Sequence, residues 1–287
     1  MAIHQKAGAS FLLAIIFLAP ALHAEFSTRS LGVQINMNLD GSANVEEQLY
    51  MVVNGTQSRD NYEIWRSAYT NLSTWQQRLN ISDLRYHVTW VAASVSDVRI
   101  TPQALEGCNS FIEICYSKVV LSYKVLAWDQ NGSGLVRADS YKPRTTRYSL
   151  VPEALSFEQT KSGDLILPKG TTITFTIPQA AQKIYFSSIP SNVADEGQDA
   201  LKYDSAQNVR YYVGNSRSFI WKGDTLPKFS FTYEVEEPLE SEVMEFFATS
   251  QSSVIAFLLG PQGTAAMFIV LVAAVSFYYF NRMGKEA

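Results

Sequence analysis

The chain has 287 residues, 47% of them hydrophobic, with 27 acidic against 23 basic side chains. That length admits one or two domains of ordinary globular composition. A formal net charge of -4 without a clustered basic face argues against a nucleic-acid partner.

The first segment has the parts of a secretory signal. His4 and Lys6 precede an apolar run from Phe11 to Leu18, and small residues follow at Ala19, Ala21 and Ala24. The run is too short to cross about 30 Å of hydrocarbon. A signal peptide over 1–24 is expected, cleaved near Ala24. Leu22 and His23 depart from the usual cleavage pattern, and an uncleaved N-terminal anchor is the alternative.

From Leu31 to Leu39 apolar and polar residues alternate, Asp40-Gly41 supplies a turn, and Val45 to Val53 forms a second strand-like run. The pattern predicts a hairpin. Asp60 to Leu79 changes period. Ile64, Trp65, Ala68, Tyr69, Leu72, Trp75 and Leu79 recur at three- and four-residue spacing. One amphipathic helix is expected there, capped by Asp60, its stripe packed on a sheet. Strand signals return over Leu84 to Trp90, Val95 to Thr101 and Ile114 to Trp128.

Beyond a mixed connection at Arg137 to Glu158, β patterns fill the second half. They lie at Leu165 to Gly170, Thr171 to Ile177, Lys183 to Ser187, Val209 to Val213, Ser218 to Lys222 and Phe229 to Val235. Short strands at this spacing predict a sandwich. No heptad, solenoid period or low-complexity tract is visible.

Thr264 to Phe280 carries no charge. At about 1.5 Å per residue it reaches roughly 25 Å, enough to span with flanking help. An aromatic cluster, Phe277 to Phe280, and then Arg282 and Lys285 follow, whereas Glu236, Glu237, Glu240, Glu242 and Glu245 precede it. The basic flank places the C-terminus in the cytoplasm and the bulk of the chain outside. Leu239 to Leu259 reads as an interfacial helix, broken from the span by Gly260-Pro261-Gln262-Gly263. Two closely spaced spans, or a C-terminal sorting signal cut near Gly260 to Gly263, are the alternatives.

The expected fold is mainly β with some α: a β-sandwich-like ectodomain carrying one amphipathic helix, plus a C-terminal transmembrane helix. The expected organisation is a signal peptide at 1–24, an N-terminal α+β or sandwich-like domain at 25–142 and a second β-rich domain at 143–237. A juxtamembrane helix and hinge at 238–263, a transmembrane helix at 264–280 and a cytoplasmic tail at 281–287 complete it. The segment Asp40-Gly-Ser-Ala-Asn-Val-Glu-Glu47 with its flanking strands resembles the exported β-sandwich portions of prokaryotic membrane-anchored proteins of unknown function. The resemblance implies a fold and no activity.

Cys108 and Cys115 are the two cysteines of the chain. In an oxidising compartment they are expected to close a small disulfide loop, with a metal site as the weaker reading. Sequons at Asn54, Asn71, Asn80 and Asn131 all fall between the signal and the span, as an external glycoprotein would have them.

Chemistry is sparse. His4 and His23 lie in the signal, leaving His87, which the alternation places on a strand with solvent or a hydrogen bond. A Ser-His-Asp triad would depend on it alone. Glu46 and Glu47, adjacent on a strand, point to opposite faces and read as solvated surface. Glu236 and Glu237 share that geometry, and Asp195, Glu196 and Asp199 fall in a polar loop. Asp129-Gln-Asn131-Gly-Ser133-Gly134 opens like a calcium loop, but Ser140 stands where a glutamate is needed, and a hairpin turn is favoured. Lys142, Arg144 and Arg147 form a small basic group read as solvated surface. No catalytic, cofactor or metal residues are assigned, and no cofactor is implied.

The expectation is therefore a non-enzymatic, single-pass surface protein of the cell membrane. Its partners are the lipid bilayer and a protein at the surface or in the membrane, and its 15 Tyr, 16 Phe and 5 Trp supply core and contact face. The alternative is a histidine-independent hydrolase of surface glycans or peptides. That reading requires two carboxylates at catalytic separation in a cleft.

Overall fold

The computed structural model describes residues 25–68, 70–88, 93–129, 132–205 and 209–236. The expected signal, juxtamembrane segment, membrane span, tail and the sequon at Asn131 lie outside them. Among the described residues no helix is long and apolar enough to cross a membrane. The chain divides into two compact units, residues 1–139 with 147–234, and residues 140–146 with 235–287. The site described below belongs to the first.

The fold is mostly β, with few helices and several sheets. Strands β1 (Glu25–Met37) and β2 (Ala43–Asn54) form the expected hairpin. Leu31, Val33, Ile35 and Met37 turn inward, as their alternation requires. At the turn Gly41 takes φ 81°, a region that favours glycine. Asp40 Oδ1 accepts the Ser42 N–H (2.9 Å) and hydroxyl (2.6 Å). These donors hold the Asp40 carboxyl below the usual carboxylate range.

The expected single helix is two: α1 (Thr56–Ser67) and α2 (Leu72–Leu79). Ala68 is extended, and Asn71 starts the second helix by accepting the Thr74 N–H at 2.9 Å. Gly55, not Asp60, caps α1. The apolar period cannot report such a break, because a side-chain cap competes locally with continued helix. The inward face also differs. Tyr62, Trp75 and Leu79 are buried, whereas Ile64 is 65% exposed. Tyr62 meets Trp75 edge-on at 5.7 Å and donates to the Gln103 carbonyl at 2.7 Å.

Leu84 to Val88 is not a strand; Val88 makes one isolated antiparallel bridge to Leu155. Then come β3 (Val95–Pro102), β4 (Glu106–Asn109) and β5 (Ile114–Val125). Cys108 and Cys115 form a disulfide between β4 and β5. The turn it pins leaves Phe111 97% exposed.

The second half supplies β6 (Val136–Lys142), β7 (Thr145–Leu150), the two-residue β8 (Glu158–Gln159) and β9 (Leu165–Ile166), β10 (Thr171–Thr176) and β11 (Ala181–Phe186). After α3 (Ser191–Glu196) come β12 (Leu201–Asp204), β13 (Val209–Tyr212), β14 (Ser218–Lys222), β15 (Thr225–Leu226) and β16 (Phe231–Glu236). Asp195 and Glu196 thus sit on a short helix, and Asp199 in a 3-10 turn, rather than in a plain loop.

A seven-stranded sheet runs β14-β10-β1-β2-β5-β3, with β4 beside β5. Segments 25–142 and 143–237 share it, because β10 lies parallel to β1 from Leu31↔Thr171 to Asn36↔Thr176. The second sheet runs β12-β13-β11-β16-β7-β6. Aromatic side chains of the two sheets meet: Phe175 of β10 touches Phe231 at 4.7 Å, and Phe186 of β11 touches Trp221 at 5.9 Å. Burying rings of this size is a large share of what holds the two halves together.

Candidate binding cleft

The inner face of the seven-stranded sheet carries a buried polar cluster around Glu47. Alternation along β2 sends Val45, Glu47, Leu49 and Met51 inward, and Glu47 is only 3% exposed. Its Oε2 lies 2.6 Å from His87 Nδ1, whose hydrogen donates to the carboxylate. Its Oε1 accepts the His87 backbone N–H at 2.8 Å and a short hydrogen bond from the Tyr123 hydroxyl. The His87 ring, 2% exposed, stacks on Phe157 at 4.8 Å. Tyr123 stands inward on β5, with Tyr86 edge-on to it at 5.1 Å. Burial, and then the neighbouring Glu47 charge, push the Tyr123 hydroxyl far above its ordinary pKa.

This cluster corrects two sequence expectations. His87 is a buried residue outside any strand, and Glu47 is core rather than solvated surface. A carboxylate is tolerated inside only when its oxygens are satisfied, and here three donors converge on it. Part of this was readable: Glu47 falls in register with Val45 and Leu49. The partner was not, because His87 lies 40 positions away on a segment whose alternation suggested a strand.

The other candidate residues do not assemble. Glu46, on the outer face, accepts from Gln48 Nε2 at 2.5 Å. Glu196 accepts the Tyr212 hydroxyl at 2.8 Å. Arg147 pairs with Glu234 at 2.5 Å and Arg144 with Glu236 at 4.0 Å, so these two bases are paired rather than simply solvated. Asp129 Oδ1 accepts the Ser133 N–H at 2.9 Å and Gly132 donates to the Asp129 carbonyl at 3.1 Å, the bonds of a turn. Among the described residues no three His, Cys, Asp or Glu side chains form a metal cluster. Asn54 donates to Glu25 at 2.7 Å. Asn71 caps α2, and Asn80 ends it in the left-handed region at φ 52°.

Among the described residues two open clefts border the first half of the chain. The larger, about 550 Å³, lies among Thr70, Ser73, Tyr86, Arg99 and Thr101. It holds one base and no carboxylate. The second, about 410 Å³, is lined by Arg29, Tyr50, Glu106, Gly107, Tyr116 and Lys118. No sequence argument singled these residues out.

The second cleft is built by a β-bulge. Thr28 pairs with Met51 and Ser30 with Tyr50, leaving Arg29 without a partner on β2. Continued alternation from Leu31 would have turned position 29 into the core. A bulge adds one residue and re-aims the side chain. The Arg29 guanidinium lies over the Tyr116 ring at 4.8 Å. On the neighbouring strand pair Lys118, opposite Tyr50, places its ammonium 5.6 Å from that ring. Both contacts are cation–π in kind.

The third wall is β4, in register through Glu106↔Tyr116 and tied down by the disulfide. Gly107 has φ 57°, and a Cβ there would stand 3.2 Å from the Tyr116 ring. The wall therefore favours glycine on two counts, backbone conformation and space beside the Tyr116 ring. Behind the cleft Ser117 donates to the Tyr62 hydroxyl at 2.6 Å. Burial lifts the Tyr62 pKa to about 12 despite that donor. The cleft thus presents two cations, one carboxylate and two phenol hydroxyls on the sheet, and among the described residues lining it no nucleophile and base are in contact.

No protein-family model matches the chain, and no curated protein matches it. A solved structure from Parabacteroides distasonis, provisionally called a protease, is 6% identical with a TM-score of 0.20; the match covers 75% of this chain and 41% of that one. The Fcho1 Mu homology domain of Danio rerio with a bound peptide is 10% identical with a TM-score of 0.18, over 75% of this chain and 80% of that one. Likeness at this level carries no argument about fold or function.

Proposed function

We propose that the chain is a non-enzymatic binding module: an exported, β-sandwich-like ectodomain held at the outer face of the cell membrane by a single C-terminal helix. The observation that carries the reading is the Arg29 cleft. A bulge spends regular pairing to aim a base outward, a second base faces the same space, and a disulfide braces the opposite wall. Pre-organised donors on a rigid scaffold suit recognition.

Catalysis finds less support. The one histidine among the described residues is sealed beneath the sheet with its carboxylate. The cleft at Arg29 holds a single carboxylate, Glu106, where glycoside hydrolysis uses two. Membrane attachment rests on the uncharged run Thr264 to Phe280 with its acidic and basic flanks, export on the apolar run near the N-terminus, and the exported-sandwich reading on the resemblance of Asp40 to Glu47.

The test is photo-cross-linking in the native membrane. A photoreactive residue replacing Gln48, beside the cleft, is expected to give a defined adduct with a surface molecule. Arg29→Ala in the same background is expected to abolish it. An adduct that forms equally without Arg29, or none at all from folded protein, would overturn the reading.

A further inference from the structure

Building on that binding role, we infer that the cleft takes the carboxylate of an acidic saccharide, a uronate-bearing glycan whose chain lies along the outer face of the seven-stranded sheet. The charge argument is local. Arg29 and Lys118 face one space and each rests on a tyrosine ring rather than in an ion pair recorded among the described residues. Their hydrogen-bond donors are therefore available to an anion, and Arg offers the planar fork that matches a carboxylate. Glu106 on the opposite wall accepts hydroxyl donors, as the sugar hydroxyls beside a uronate carboxylate would offer.

What continues from the cleft decides between saccharide and peptide. Next to the cleft the outward residues of β2 include Tyr50, Gln48 and Glu46, linked by hydrogen bonds: the Tyr50 hydroxyl donates to Gln48 at 3.1 Å and Gln48 to Glu46 at 2.5 Å. The adjoining strands extend this strip. Gln34 pairs with Glu46 on one side and Thr174 on the other, and Glu46 pairs with Ser122. These side chains are half-buried or exposed. Amides and hydroxyls that both donate and accept, interrupted by Val120 opposite Gln48, match the mixed hydroxyl and apolar surface of a sugar chain. A peptide docking by strand addition would instead need a free strand edge, and β2 is an interior strand; Lys124 of β5, opposite Asn44, adds a third base at the far end of the strip.

The inference is tested with the full chain in nanodiscs, by retention of an oligogalacturonate, with maltohexaose and oligoglutamate as controls. Oligogalacturonate is expected to bind and maltohexaose not. Arg29→Ala and Lys118→Gln are each expected to weaken retention by about tenfold, the loss of one charge-assisted contact, with partial rescue by Arg29→Lys. Glu46→Ala is expected to weaken it less. Absence of retention by folded protein, or equal retention by Arg29→Ala, would overturn the inference. Oligoglutamate bound as tightly as oligogalacturonate would also overturn it, in favour of an acidic peptide. The two readings fail separately. An Arg29-dependent adduct in the membrane without uronate retention removes only the ligand class, whereas an adduct indifferent to Arg29 removes the binding role itself.

Discussion

Glu47 and Arg29 show how one residue of register changes what a side chain does. Glu47 keeps the alternation of β2 and is carried inside, where His87 and Tyr123 compensate it. Glu47→Ala would leave both partners buried without their acceptor and is expected to cost about 3 kcal/mol. Glu46→Ala, one position along and outward, should stay within about 0.5 kcal/mol. Urea midpoints of the two variants separate them; equal midpoints would show that the cluster does not stabilise the fold. The buried tyrosines predict a pH effect of definite sign. Burial raises Tyr62 and Tyr123 above the ordinary phenol value. Their contribution is thus complete below about pH 10, where the unfolded chain titrates, and is lost as pH rises toward the folded values. Unfolding free energy should fall between pH 10 and 12 by up to about 1.4 kcal/mol per pH unit for each such group. A flat profile over that range would contradict the burial of both.

The element whose behaviour matters most is the β4–β5 hairpin. Its first strand contains a positive-φ glycine and no buried side chain, since all four β4 residues are exposed. Such a strand has small packing energy of its own, and the disulfide supplies what packing does not. Closing this short loop is worth about 2–3 kcal/mol in chain entropy. Reduction is expected to lower the unfolding midpoint accordingly and to weaken the Arg29-dependent adduct, because the wall that bears Glu106 and Gly107 is released. Full retention of the adduct after reduction would show that β4 plays no part in the cleft. The helical segment makes the complementary point. Its apolar period was visible, but the Asn71 cap that divides α1 from α2 was read only as a sequon. One side chain serves both patterns, and only its hydrogen bond to Thr74 says which governs the backbone.

At the scale of the whole molecule, the seven-stranded sheet joins the beginning of the chain to its second half through the parallel β1–β10 pair. The proposed topology is tested with a single thiol. Both native cysteines are in the disulfide, so Lys285→Cys adds one reactive site. It is expected to resist a membrane-impermeant maleimide on intact cells and to react once they are permeabilised; labelling of intact cells would reverse the orientation. What the sequence by itself determined is local: which strand faces are apolar, where Asp40-Gly41 turns, that two nearby cysteines can close a loop. These follow from side-chain periods of two and from turn chemistry, which act within a few residues. The tertiary structure alone decided that β10 lies beside β1, that His87 meets Glu47, and that a bulge turns Arg29 from the core to the cleft. Those outcomes depend on energies between segments far apart in the chain, where satisfying a buried carboxylate or seating an aromatic ring outweighs local preference.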